Sequence, residues 1–205
     1  QLKLRQGVKF HDGTDFNAEA VKINLDRLRD SEIASPRLTN FEPITDVIVV
    51  DEHTVQIKTE KPYGPLLFAL THPGGNMMSP AVIEEDYKRM ESGGDARAYG
   101  NENPIGTGFL KLEKWSPGQE IRLVKNTEYW GEQVAYDAAV FKTVPESATR
   151  AAELETGYAH IIEPVQPNEV DMVQATTNTV DITPGSSLSY LGFNLNKKPF
   201  DDVRV

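Results

Sequence analysis

The fold is decided near the start of the chain, where residues 2–14 have the sequence LKLRQGVKFHDGT and residues 16–21 have the sequence FNAEAV. Apolar and charged residues alternate over residues 2–10, a pattern typical of a half-buried strand, and Gly7 interrupts it where a bend or bulge fits. The pair at 12–13 predicts a tight turn, because glycine adopts positive φ without steric strain. This stretch therefore predicts a strand followed by a turn.

A capped helix is predicted directly after this turn. Asn17 can accept a hydrogen bond from a free backbone N–H of the first helical turn, and Glu19 lies where the helix dipole favours a negative charge. Three apolar residues follow at helical spacing and define one buried face: Val21, Leu25 and Leu28. His11 and Asp12 have two interpretations, a catalytic or metal-binding pair and a plain turn, and the local pattern favours the turn.

The composition is typical of a globular protein and narrows the function classes. The chain has 205 residues, of which 25% are charged and 39% hydrophobic, and its length suits one large domain or two small ones. The net charge of -10 argues against a nucleic-acid partner, since phosphate binding requires clustered Lys and Arg. The absence of cysteine rules out disulfides and thiolate metal sites. The longest apolar run, residues 65–70, is far shorter than the roughly 18 residues of a membrane span.

The first half of the chain predicts one hairpin and two further helices. β-Branched runs at 44–50 and 54–59 flank a short polar loop, which predicts a β-hairpin. Helices are expected at 63–70 and at 80–90, the second with Pro80 at the first position, where proline is tolerated.

Glycine and proline are dense over residues 91–108, so we expect a domain boundary there, dividing the chain into residues 1–102 and 103–205. Beyond it, strands and helices alternate, which predicts an α/β layered architecture. The expected strands are 109–115, 120–125, 138–144, 160–162, 179–183 and 188–194, and the expected helices are 146–156 and 168–175.

Five blocks of the sequence, in order, resemble the bacterial extracellular solute-binding proteins of family 5, the peptide/nickel class that serves ABC importers. The first is the opening run, and the second is NPIGTGF at 103–109. The others lie at 117–131, which ends in YWG, at 144–162 and at 190–205. In the fourth block His160 stands where the family usually has an acidic residue. The blocks cover nearly the whole chain.

The resemblance implies a type II periplasmic-binding-protein-like α/β fold. Residues 1–102 would form a small subdomain of the first lobe, and residues 103–205 its central part, ending at the crossover between lobes. In the family these blocks lie inside a longer chain, so we expect this sequence to be an internal piece.

The resemblance also implies binding without catalysis and without a cofactor. A small polar solute, with a peptide as the preferred class, would be captured in a cleft between two lobes and delivered to the membrane subunits of an ABC permease. The expected location is the periplasm or the extracellular surface, with or without a lipid anchor.

Two loops are the candidates for ligand contacts. They are the loop after the first helix and the loop before the helix at 80–90, and the candidate residues are Arg37, Leu38, Gly74, Gly75, Asn76 and Met77. Arg37 could pair with a ligand carboxylate, and the two glycines allow close approach of the backbone. Other interpretations stay open: an exposed surface arginine, and a simple chain reversal at 74–75. Trp130 could be a ligand platform, although its size favours a place at the edge of a core.

The sequence contains no GxSxG, P-loop, HExxH or CxxC motif. Its four histidines lack ligand-like spacing, so no metal site and no catalytic residue is predicted. Two other functions stay open. A hydrolase would need a nucleophile beside a base, for which Ser189 and His160 are the best candidates without motif support. A structural or interaction domain would expose an apolar patch instead of a cleft.

Overall fold

The computed structural model describes residues 1–33, 35–95, 97–175, 178–185 and 189–204. The chain divides into two compact units, residues 1–143 and residues 144–205. Helices and strands both contribute to the first unit, in agreement with the predicted α/β class. The predicted boundary after residue 102, between two parts of one lobe, stays a prediction.

The first sheet has three antiparallel strands in the order β1-β3-β2, namely β1 (Leu2–Lys3), β2 (Ile44–Asp51) and β3 (Thr54–Thr59). Strands β2 and β3 form the predicted hairpin. The opening strand is much shorter than predicted, because Gly7 at φ +72° turns the chain away from the sheet. Lys9 then pairs only with Asp15 in an isolated bridge.

Helix α1 (Ala18–Arg29) packs on this sheet. Asn17 caps the helix as predicted, and its side-chain oxygen accepts a hydrogen bond from Ala20 N at 2.9 Å. The predicted apolar face is buried and joins the core, which comprises Ala18, Val21, Leu25, Leu28, Phe41, Ile44, Val47, Val55 and Ala69. Removal of this apolar surface from water holds α1 against the sheet.

This part of the first unit also contains α2 (Leu66–Thr71), α3 (Pro80–Glu91) and α4 (Ala98–Glu102), and two short 3-10 helices at Leu38–Asn40 and Pro73–Gly75. Helix α3 has the predicted bounds, within one residue, and Ser79 caps it by accepting a hydrogen bond from Ala81 N. Helix α2 begins three residues later than predicted. Pro65 has no N–H for a helical hydrogen bond and disfavours helical geometry in the residue before it, so the helix starts only after Pro65.

The second sheet is antiparallel and consists of β4 (Leu110–Ser116), β5 (Glu120–Lys125) and β6 (Ala138–Lys142) in that order. The predicted hairpin is confirmed, and the third strand ends two residues earlier than expected. Trp115, Ile121 and Phe141 are cross-strand neighbours and form an exposed row on one face.

The second unit, residues 144–205, contains helices α5 (Ser147–Glu155) and α6 (Val170–Gln174), close to the two predicted helices. The strands predicted at 160–162, 179–183 and 188–194 are wrong for the described residues, which form no strand there. Leu188 lies outside the described residues. A strand needs a hydrogen-bonded neighbour, and this part of the chain is mostly solvent-exposed, with Ile161 at 88%.

Within the described residues, no helix combines the length and the apolar composition that crossing a membrane requires.

Candidate functional site

Residues 105–108, here termed the crossing segment, are held by donors from four places in the first unit. Ser79 N donates to the carbonyl of residue 105, and His11 N donates to that of residue 106, both at 2.9 Å. The indole Nε1 of Trp130 donates to the carbonyl of residue 107 at 3.0 Å. The carbonyl of residue 108 accepts from His11 Nε2 at 2.9 Å and from Asn126 Nδ2 at 3.0 Å. Every carbonyl of the segment therefore has a partner within the protein.

These contacts support the turn interpretation of His11 and Asp12. A carbonyl oxygen can only accept, so His11 must carry its proton on Nε2 to bind the crossing segment. The Asp12 carboxylate accepts hydrogen bonds from Thr14 N, from Thr14 Oγ1 and from the Ser79 hydroxyl. Both side chains thus join the opening turn to neighbouring elements.

The pKa of the Asp12 carboxyl lies below its ordinary value. Partial burial alone would raise this pKa, but the hydrogen bonds from Ser79 and Thr14 stabilise the ionised form and outweigh it. In the described part of the chain, no group of three or more His, Asp or Glu residues is placed to hold a metal ion.

A cavity of about 720 Å³ lies against the crossing segment. We term it the arginine cavity, because three arginines line it: Arg27, Arg37 and Arg97. Its other walls come from helix α1, the loop after α1, the loop before α3, residue 101 and residues 104–108. A pocket of this size can hold a small organic ligand.

The structure brings the two predicted loops together at this cavity. Four of the six candidate residues line it, namely Arg37, Gly74, Asn76 and Met77, whereas Leu38 and Gly75 are not among its wall residues. A Cβ atom built on Gly74 would lie 3.0 Å from Arg37 Cβ, so the two loops are in direct contact. Contact with a solute at these residues stays a prediction.

The two adjacent glycines have different surroundings. A Cβ on Gly74 would meet side-chain atoms, with Phe41 Cε2 at 2.8 Å. A Cβ on Gly75 would lie 2.2 Å from the carbonyl oxygen of Leu70, which is backbone of helix α2. Gly75 therefore allows a tight chain reversal after α2, and Gly74 allows the close approach of the Arg37 loop.

Polar contacts fix the floor of the arginine cavity. Asn24 donates to the carbonyl of Met78 and accepts from Met78 N, each at 2.8 Å, which ties α1 to the loop before α3. Arg27 Nη2 lies 2.7 Å from Asp86 Oδ2, and the Asp86 side chain is fully buried. The other carboxylate oxygen of Asp86 accepts from Gly100 N at 3.1 Å. Arg27 is therefore engaged inside the protein.

Sequence reasoning missed several wall residues, among them Asn24, Arg97, Asn101 and the crossing segment. Asn24 carries a signal that could have found it, because it shares the helix face of Val21 and Leu28, where a polar residue is unusual. The sequence predicts a domain boundary and a family resemblance at 103–109, but no wall of a cavity.

A second cavity of about 770 Å³ lies on the other side of residues 101–105. We term it the mixed cavity, because charges of both signs line it: Asp12, Glu102, Glu113, Lys111 and Lys114. Trp130 is a wall residue of neither cavity. The expected place in the core is not found, because Trp130 is 43% exposed; its ring lies beneath the guanidinium of Arg5, 4.6 Å from the ring centroid.

Comparison with known proteins covers the full chain. A family model described as bacterial extracellular solute-binding proteins, family 5, middle part, matches residues 1–205. The glutathione-binding protein GsiB of Escherichia coli (strain K12) is 32% identical over 209 residues, which represent 100% of this chain and 38% of GsiB. The chain therefore spans less than half the length of the curated relatives it matches.

Solved structures of similar proteins share the fold. MoaA of A. tumefaciens R10, solved with mannopinic acid, has a TM-score of 0.86 and 26% identity, with coverage of 98% of this chain and 40% of MoaA. DppA of Helicobacter pylori, solved with the peptide STSA, has a TM-score of 0.73 and 27% identity, with coverage of 86% of this chain and 37% of DppA. The predicted type II periplasmic-binding-protein-like fold is confirmed by these neighbours.

Proposed function

Because the chain belongs to the bacterial extracellular solute-binding proteins of family 5, we propose that it forms part of the solute-binding cleft of an ABC importer's binding component. The bound solute is released unchanged to the membrane subunits of the permease. The protein works outside the cytoplasmic membrane, in the periplasm or at the cell surface.

The observation that carries this proposal is the arginine cavity. Two loops that are about 35 residues apart in sequence meet there, and the crossing segment closes one side with all of its carbonyls held. A preformed wall of this kind loses little conformational freedom when a solute binds. In a two-lobed protein, closure of the second lobe over this wall would complete the enclosure of the solute.

A peptide is our preferred solute class. The matched relatives include a glutathione-binding protein and a protein solved with a four-residue peptide. The cavity supplies polar groups for such a solute, including the Arg37 guanidinium for its carboxyl end and the Asn76 amide for its backbone. A carboxylate of the peptide would form charge-assisted hydrogen bonds with Arg37.

The alternative hydrolase hypothesis has little support. Ser189 and His160, the best nucleophile and base in the sequence, form no hydrogen bond with each other in the described residues. The named relatives that match this chain are binding proteins. We therefore propose a binding protein and not an enzyme.

A thermal-shift screen of the intact protein tests the proposal. The panel contains tripeptides, free amino acids, sugars and nickel chelates, each at a concentration far above a micromolar Kd. A solute that binds only the folded state stabilises it by about 2.7 kcal/mol at 100 times its Kd, so one class should raise the melting temperature clearly. Chromatography of the bound solute after denaturation should recover it unchanged. Turnover of a peptide, with no class raising the melting temperature, would overturn the proposal.

A further inference from the structure

The arginine cavity carries an unusual charge distribution for this chain. The whole sequence has a net charge of -10, with 31 acidic and 21 basic residues. Among the described residues that line the cavity, three are arginines and none is Asp or Glu. The mixed cavity, which shares part of the same wall, contains three carboxylates. The absence of carboxylates is therefore a local property of the arginine cavity.

The three arginines do not contribute equally to the cavity. Arg27 is largely neutralised by the buried carboxylate of Asp86. Arg37 forms no ion pair within the described residues, and Arg97 has only Asp95 nearby, with Nε 3.9 Å from Oδ1. Both Arg37 and Arg97 are solvent-exposed and line the cavity. They supply positive charge that the protein itself leaves uncompensated or weakly compensated.

The backbone of the crossing segment adds a second feature. Its four carbonyls are all bound by protein donors, whereas the N–H groups of residues 105–108 have no acceptor in the part of the chain that the structure describes. All four residues line the cavity. The segment therefore has no carbonyl left to accept a hydrogen bond from a solute, which disfavours a cationic donor at this wall.

We infer that the arginine cavity selects solutes with a free carboxylate or a similar oxyanion, and that Arg37 is the residue that determines this selectivity. The inference rests on the proposed function, since it concerns the same cleft. An anionic group beside Arg37 gains charge-assisted hydrogen bonds without meeting any carboxylate in the wall. A neutral analogue of the same solute forfeits these bonds and leaves a guanidinium without a partner.

The test compares matched pairs of solutes that differ only in charge. One set pairs tripeptides that have a free carboxyl end with the same tripeptides as carboxamides, and a second set pairs gluconate with glucose. Titration calorimetry measures Kd for the intact protein and for Arg37→Gln and Arg37→Lys. For the solute that binds, we expect the acid to bind about 10- to 100-fold more tightly than its neutral partner, the range for a charge-assisted hydrogen bond.

The Arg37 variants test whether Arg37 is responsible for the tighter binding of the acid. Arg37→Gln should remove most of the preference for the acid, and Arg37→Lys should restore part of it, because lysine keeps the charge but lacks the planar guanidinium. Arg89→Gln removes an arginine on α3 that is not a wall residue, and it should leave the ratio of the two Kd values unchanged. Unfolding midpoints of all variants confirm that they are folded.

The two proposals fail in different ways. Equal Kd values for acids and their neutral partners would overturn the charge selectivity while leaving solute binding intact. A preference for the acid that survives in Arg37→Gln would overturn the role of Arg37. Binding of none of these solutes, nor of any other class in the thermal-shift panel, would overturn the proposed function itself.

Discussion

The arginine cavity and the mixed cavity share part of one wall and differ in charge. His11, Asn101, Pro104 and Ile105 border both of them. The charged lining residues of the arginine cavity are all arginines, whereas the mixed cavity has acidic and basic residues from the opening turn, α4 and β4. Both cavities share this stretch of backbone, so the side chains of the elements beside it must determine the charge of each cavity.

The comparison also separates polar groups that hold the fold from those left for a solute. The carbonyls of the crossing segment, Asn24 and Asp86 all have partners inside the protein. Arg37 has no ion-pair partner in the described residues, and its backbone N donates to the Ser35 hydroxyl. A substitution in the first group should therefore change stability, and one in the second group should change binding.

Replacement of Asp86 by alanine should have the largest effect. It leaves Arg27 without the buried carboxylate and Gly100 N without its acceptor, and loss of one partner of a buried pair costs about 3–5 kcal/mol. Urea unfolding of the intact protein measures this change. Glu84→Ala on the same helix removes an exposed ion pair with Lys88, which solvent screens, and should leave stability nearly unchanged.

A loss below about 1 kcal/mol for Asp86→Ala would contradict the division between polar groups that hold the fold and groups available to a solute, since Arg27 would then not need Asp86 as its partner. It would become a third arginine available to the solute. The charge of the arginine cavity would have to be reassigned accordingly.

Substitution of the adjacent glycines should cause the next largest loss of stability. Gly75→Ala and Gly74→Ala form a matched pair of variants. Gly75→Ala places a methyl group 2.2 Å from the Leu70 carbonyl oxygen, which is part of a helix and cannot move alone. We expect a loss of about 1–3 kcal/mol, the range for overpacking, measured by urea unfolding. Gly74→Ala brings its methyl group to 2.8 Å from the Phe41 ring and 3.0 Å from Arg37 Cβ, both longer than the 2.2 Å contact at Gly75, so its loss should be smaller.

The two glycine variants, if folded, should affect solute binding in the opposite order to their effects on stability. Gly74→Ala displaces the Arg37 loop at the cavity wall and should weaken solute binding more than Gly75→Ala does. Equal effects of both variants on Kd would show that position 74 contributes to the wall no more than position 75.

Sequence alone predicted most of the first unit. The Asn17 cap, the β2–β3 hairpin and the β4–β5 hairpin were predictable because local spacing and turn residues determine them. The strands at 160–162 and 179–183 were wrong, because apolar β-branched runs indicate a strand only when a neighbouring strand is present to pair with them. Local pattern contains no information about that neighbour.

The candidate site was partly predictable for a similar reason. Both loops were found from residue types, an arginine and a Gly-Gly turn, and their meeting depends on tertiary contacts between residues 37 and 74. The contribution of Asn24 and of the crossing segment depends on packing of α1 against residues 78 and 105–108, which no short-range pattern encodes. The proposed selectivity for anionic solutes rests on the charge of the assembled wall and not on any single motif.

The smallest expected effect concerns Asp12, whose carboxylate borders the mixed cavity but is bound within the protein. Its pKa is lower in the folded state than the value of 3.8 for a free side chain, because hydrogen bonds from Ser79 and Thr14 outweigh the effect of burial. The ionised group therefore adds stability above pH 3.8, and this contribution is lost as the pH falls through the lower pKa of the folded state. Since solvent screens this partly exposed group, we expect less than about 1 kcal/mol.

Asp12→Asn removes this titration while keeping a side chain of the same shape. Urea midpoints of wild type and variant should differ at pH 7 and converge as the pH falls below 3.8, with Asp15→Asn correcting for the loss of one negative charge from an acidic protein. A difference that grows on acidification would mean that the Asp12 hydrogen bonds favour its neutral form. In that case the fold would hold Asp12 as a neutral acid, and Glu102 and Glu113 would be the carboxylates that give the mixed cavity its negative charge.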